Sequence, residues 1–158
     1  MARDVDDSTR VVESEIGESM VREYVTVHDS TVGDDCGIYE RTSLKKCHVG
    51  DSVDINAGCF VENAEIGDEV QVGPNCSIVG VTHDLGEDGM ELRDDVFERI
   101  ILHDGAFVGA GAVIAPGVEI GPNAVVAAGS VVSTDIDERC IVVGSPPVQE
   151  VTHLRDWL

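Results

Sequence analysis

At 158 residues the chain is long enough for one domain with a single core, and 31 acidic against 10 basic side chains give a formal net charge of −21. That balance, with Lys45 and Lys46 the only lysines, argues against a nucleic-acid partner, because neutralising phosphates takes clustered Lys and Arg. No uncharged stretch approaches the about twenty residues that a bilayer crossing needs, and Phe107 to Val118 is broken by glycines and a proline, so no membrane insertion is expected.

The carboxylates are scattered rather than gathered in a tail, a pattern of general surface solvation used by proteins of very salty, halophilic cytoplasm. The five cysteines, Cys36, Cys47, Cys59, Cys76 and Cys140, are odd in number, lack C-x-x-C spacing and follow no signal peptide. Neither a disulfide framework nor a zinc knuckle is indicated, and a reduced, cytoplasmic setting without a metal is the expectation.

Residues 1–10, MARDVDDSTR, read as a polar mobile arm. From there a repeat sets in, and residues 11–145 read as one repetitive domain. The segments VGDDCGIYERTSLKKCH, VGDSVDINAGCFVENAE and IGDEVQVGPNCSIVGVT begin at Val32, Val49 and Ile66, seventeen residues apart, and Ile16-Gly17-Glu18 looks like an earlier start. Inside each unit aliphatics recur every five or six residues, as at Val49, Ile55, Val61 and Ile66. The beat fails once, over VTHDLGEDGMELRDDVFERI, where residues 82–99 read as an inserted loop. It then resumes strictly, with Leu102, Val108, Ile114, Ile120, Val126 and Val132 six residues apart. After Pro146 and Pro147, residues 146–158 form a tail or cap with the pattern of a short helix, whose Leu154, Trp157 and Leu158 are candidates to pack on the solenoid or a neighbouring subunit.

No helix has a period of six, and the 17 glycines would cost about 1 kcal/mol each in helix interiors. Three six-residue units instead make a triangular coil, each contributing a short strand and a corner. The recurring aliphatic points to the axis, and the small residue after it eases the bend. Stacked coils place like over like at about 4.8 Å, so Cys59 and Cys76, seventeen apart, should lie over one another inside the prism as small apolar residues. By the same reading Cys76 and Cys140 sit in buried slots and are poor nucleophiles.

DGAFVGAGAVIAPGVEIGPNAVVAAGSVVSTDI, followed by VVGSPP, resembles the hexapeptide-repeat acyltransferases. The resemblance runs from about Ile16 to Pro147 and is nearest to the galactoside and maltose O-acetyltransferases, with streptogramin-type acetyltransferases beside them. It implies an all-β fold, a left-handed parallel β-helix with one projecting loop, working as a homotrimer with active sites between subunits. The left hand comes from the resemblance alone, since parallel crossovers are generally right-handed.

In that family a catalytic histidine lies where the loop leaves the prism, about ten residues after a GPN corner; VGPNCSIVGVTHD puts His83 at that point. An imidazole suits the removal of a proton from an acceptor hydroxyl near neutral pH. His28, His48, His103 and His153 have no such placement. The resemblance further implies acetyl-CoA as donor, a small-molecule acceptor such as a sugar, Asn56 and Phe97 as acceptor contacts, and Ala110, Ala128, Ser133 and Thr134 along the coenzyme A groove. Asn56 is equally what a tight corner needs, as are the small residues. The chain departs from the family where lysine or arginine usually follows the last coil: it has STD and PPVQEV, leaving Arg139 or Arg155 to meet cofactor phosphates.

Three other readings compete. A nucleotide-sugar N-acyltransferase could use the same base. A γ-class carbonic anhydrase needs three zinc-binding histidines, two of them close on one coil, which the spacing here opposes. A non-catalytic β-helix scaffold would lose His83 without consequence. The scattered acidity predicts that the melting temperature rises from dilute buffer to molar potassium chloride; an unchanged value would overturn salt adaptation.

Overall fold

The computed structural model describes residues 1–158, and the repeat arithmetic becomes a parallel β-helix. Each coil contributes one short strand to each of three sheets, of nine, seven and six strands. In one central coil these are Asp54–Ile55 on face A, Phe60–Glu62 on face B and Ala64–Ile66 on face C. Ile38, Ile55, Val72, Val108 and Val126 lie opposite one another up face A. On face A the coil is seventeen residues long from Val21 to Val72 and eighteen from Val108 to Val126, and sixteen at either end, from Val5 to Val21 and from Val126 to Val142.

The inward aliphatics form one core of 32 residues containing no aromatic ring, each fully buried Val, Leu or Ile being worth about 1.5–3 kcal/mol. Leu102, Val108, Ile114, Ile120, Val126 and Val132 are all buried within it, as are Val49, Ile55, Val61 and Ile66. Cys36, Cys47, Cys59 and Cys76 are buried in the same core.

The glycine after the aliphatic is required by space rather than by a bend. A Cβ on Gly17, Gly33, Gly50 or Gly67 would run into the carboxylate of Asp34, Asp51, Asp68 or Asp104, which reaches over it from the next coil. Those carboxylates form a ladder at one corner. Asp51 Oδ1 accepts the backbone N–H of Asp34 at 2.8 Å, Asp68 that of Asp51 at 2.8 Å, and Asp104 that of Asp68 at 2.8 Å. His103 can occupy the glycine's slot because the coil above it carries Gly121-Pro122 and no overhanging aspartate. Part of the acidic excess is thus structural and not only surface solvation.

Two boundaries differ from expectation. The first ten residues are not a free arm: Asp4–Val5 pairs in parallel with Met20–Val21, and Val5 packs against the core. The five-to-six spacing of Val5, Val11 and Ile16 already carries this; Val11 is exposed because no coil lies beneath it. At the other end Val148–His153 turns back antiparallel on Cys140–Ser145. The α-helix is a single turn, Leu154–Trp157, with no buried residue. Trp157 and Leu158 stay exposed, so the tail covers a strand edge but does not anchor through them on its own prism. No helix is long and apolar enough to cross a membrane.

The aspartate ladder is testable by chemistry at one atom. Asp51→Ala should lower unfolding free energy by about 1 kcal/mol in urea melts, the usual net worth of such a bond. Asp51→Asn, which keeps the Oδ1 acceptor, should lie within a few tenths of the wild type.

Candidate functional site

The chain leaves the prism at the corner between faces B and C. Glu98 N–H donates to Gly80 O at 2.9 Å, so exit and return are pinched together, and Asn63 Nδ2 donates to the same oxygen at 2.8 Å. A Cβ on Gly80 would collide with Asn63 O and Glu98 O. The expected loop over 82–99 is in fact an antiparallel hairpin, Val81–Gly86 with Gly89–Phe97, turning through Glu87-Asp88.

Hairpin register decides what meets His83. Val81 lies opposite Phe97 and His83 opposite Asp95, with the ladder irregular between His83 and Leu85. His83 Nδ1 sits 3.3 Å from Asp95 Oδ1, both side chains about half exposed. Asp95 stands at ion-pairing distance on the Nδ1 side of the ring, and Nε2 has no protein partner. Sequence reading missed Asp95. Several carboxylates share the insertion, and only the register picks one.

The other candidates border face B. At its edge with face A, Asn56 begins a corner, and Ala110 and Ala128 stand exposed on the coils above. Gly129 N–H donates to Ala110 O at 2.8 Å, stacking those corners directly. At the edge with face C lie the hairpin and, higher up, exposed Ser133 and Thr134. Between the edges Phe60, Ser77, Val113 and Val131 stand in register, and Phe60, Val113 and Val131 present exposed apolar side chains. One chain therefore separates Asn56 from His83 by the width of a face. Asn56 also spends its amide on structure, Nδ2 donating to Val72 O at 2.9 Å. Phe97 is half exposed, and one lysine, Lys46, lies over its ring at 4.4 Å from the centroid.

No three His, Cys, Asp or Glu side chains converge to hold a metal ion. The remaining histidines have local partners: His103 Nε2 lies 3.1 Å from Glu119, His48 Nδ1 2.8 Å from Thr31 Oγ1, and His153 Nδ1 accepts from Arg155 N–H. His28 is the exception, its buried Nδ1 having no partner. Buried thiols are satisfied by the backbone, with Cys36, Cys59 and Cys76 each donating to a carbonyl of the next coil at 3.1 Å. Burial pushes the Cys47 thiol up to about 11 and raises Cys36 as well. Cys140, expected to be buried, is only partly so, because it lies in the last rung of face A.

The family model for bacterial transferase hexapeptide (six repeats) matches residues 99–134. Over that stretch the solenoid is built of hexapeptide repeats. No curated protein sequence matches it. Among solved structures, this solenoid is similar to a hexapeptide-repeat-containing acetyltransferase from Vibrio cholerae, with 26% identity over 79% of this chain and 70% of that one and a TM-score of 0.65. A variant of AntD, an N-acyltransferase from Bacillus cereus in complex with dTDP and coenzyme A, gives 18% identity, coverage of 89% and 82%, and a TM-score of 0.76. A galactoside acetyltransferase in complex with coenzyme A gives 21% identity, coverage of 79% and 64%, and a TM-score of 0.69.

The thiol environments predict a labelling order. Under brief native iodoacetamide treatment followed by mass spectrometry, Cys140 should alkylate first, while Cys36, Cys47, Cys59 and Cys76 react only on unfolding.

Proposed function

We propose that the protein is an acyltransferase that moves an acetyl group from acetyl-CoA to a hydroxyl of a sugar or related small molecule. The observation that carries this reading is the His83–Asp95 pair, 3.3 Å apart, on the one element that leaves an otherwise uninterrupted prism. His83 takes the acceptor's proton at Nε2 while Asp95 holds the ring at Nδ1 and balances the charge that develops on it. The acceptor oxygen then attacks the thioester carbonyl, the carbon–sulfur bond breaks, and the proton passes to the departing sulfur. No protein nucleophile is needed.

Face B suits the donor. The exposed ladder of Phe60, Val113 and Val131 offers an apolar floor for an extended pantetheine arm. Ala110 and Ala128 on one edge permit close backbone approach, and Ser133 and Thr134 on the other supply hydroxyls. Asn56 and Phe97 are proposed acceptor contacts, Phe97 through the ring edge and the face that Lys46 leaves open.

The working unit is proposed to be a cytoplasmic homotrimer. Leu85, Met90 and Leu92 on the hairpin are exposed at 74%, 53% and 73%, and Val148, Val151 and Trp157 in the tail are also exposed. A neighbouring subunit would bury both sets, wall face B, and place an Asn56 opposite a His83 that the single chain holds apart. An amine acceptor, of the kind implied by the name of the Bacillus cereus N-acyltransferase, would use the same base.

In molar salt with acetyl-CoA, a panel of sugars and amino sugars should reveal turnover that His83→Ala lowers by about 100-fold to 10,000-fold, the usual range for a general base. Asp95→Asn should lower kcat by at least about tenfold with the KM for acetyl-CoA nearly unchanged, and Asp95→Glu should recover part of the loss. Full activity in His83→Ala would overturn the assignment.

A further inference from the structure

Around the corner from face B, on the face C side of the hairpin's foot, lies a cavity of about 460 Å³ with no hydrophobic residue in its lining. Its wall is ordered along the prism axis. Glu13, Glu15 and Asp29 belong to the early coils; Lys46 and His48 follow, then Asn63, and Arg99 enters from the return limb of the hairpin. With coils about 4.8 Å apart, Lys46 and His48 stand one coil above Asp29 and two above Glu13, and Arg99 stands two coils above Lys46. The acidic end accepts hydrogen bonds, and the hairpin end donates them.

Lys45 is paired with Glu62 at 3.5 Å, whereas Lys46 has no carboxylate within ion-pairing distance and rests instead on the Phe97 ring. Lys46 shares the lack of an ion pair with Arg3, Arg10, Arg41, Arg93 and Arg139, and what sets it apart is its place in the lining of a polar cavity. Arg99 pairs with Glu65, Nε lying 3.6 Å from Oε2, and His48 is tied at Nδ1 to Thr31. Lys46 Nζ, the Arg99 guanidinium and His48 Nε2 therefore line a polar cavity with no internal hydrogen-bond partner, and the long Lys46 and Arg99 side chains span the two coils between their backbones.

The proposed base does not line this cavity, and hairpin register relates the two through Phe97 and Lys46. Cross-strand partners point to one side of a β-ribbon, and positions two apart share that side. Val81, His83, Asp95 and Phe97 therefore occupy a single side of the hairpin, and that side is the one from which Phe97 meets Lys46.

We infer that this cavity is the acceptor's subsite and that it selects a sugar carrying an anionic phosphate. The phosphate lies among Lys46, Arg99 and His48, where charge-assisted hydrogen bonds form, and the sugar hydroxyls donate to Asp29, Glu13 and Glu15. This inference rests on the proposed acyltransferase reading for its link to His83. The binding chemistry of the cavity stands apart from that reading and can be tested without turnover.

Calorimetry on the full chain in molar salt should use glucose 1-phosphate, glucose and inorganic phosphate as probes, with acetyl-CoA as a separate titrant. The phosphate ester should bind at least about tenfold more tightly than glucose, an increment of about 1.4 kcal/mol. Lys46→Gln and Arg99→Gln should each erase most of that preference while acetyl-CoA affinity stays unchanged, which also reports that the variants are folded. Equal affinity for glucose and its phosphate, absence of binding by both phosphate probes, or a loss of acetyl-CoA rather than sugar-phosphate affinity in Lys46→Gln would each overturn the inference. A phosphate preference that persists alongside full activity in His83→Ala would instead remove the base assignment and leave the subsite standing.

Discussion

Each coil hydrogen-bonds to the next about 4.8 Å away, and the vertical register this imposes governs the molecule. Within the regular coils a residue's neighbours are set by its counterparts sixteen to eighteen positions away. Ile55 must be aliphatic because Ile38 and Val72 lie against it, and Gly33 must lack a side chain because Asp51 folds over it. The ladder of aspartate acceptors repeats that logic on the outside of a corner. A local choice made once is therefore made at every coil, and the repeat in the sequence is its visible trace.

A prism of this kind has few ways to build a site. Its interior is filled by aliphatics and satisfied thiols, and its faces are short strands with outward residues in rows. Chemistry has to be assembled along the corners or on something that leaves them. The pinch at Gly80 and Glu98, secured by Asn63, lets a two-stranded ribbon depart without breaking the stack above or below. The ribbon then sets His83 against Asp95 and lays Phe97 on Lys46. Its side toward the early coils overlooks a polar cavity, while face B beyond the same corner offers an apolar strip. Donor and acceptor would approach one base from two faces.

Charge follows the same division. Carboxylates are spread over the prism, and some hold coils together, as at Asp51 and Asp68. The ten cations are spread as well, and two of them, Lys46 and Arg99, stand at the hairpin's foot.

The spacing of aliphatics alone determined the coil, the inward residues and the place where the solenoid is interrupted, because a six-residue period in stacked strands leaves one position per unit in the core. The spacing also put His83 at the break, while its candidacy as a base came from the family resemblance. The hairpin inside the insertion, the choice of Asp95 among its carboxylates, the strand that Val148–His153 adds, and the meeting of Lys46 with Phe97 were decided only by tertiary structure. Those features depend on antiparallel register and on how a ribbon leans across coils remote in the chain. Periodicity constrains what lies inside a stack of strands, and it carries no information about a segment that has left the stack.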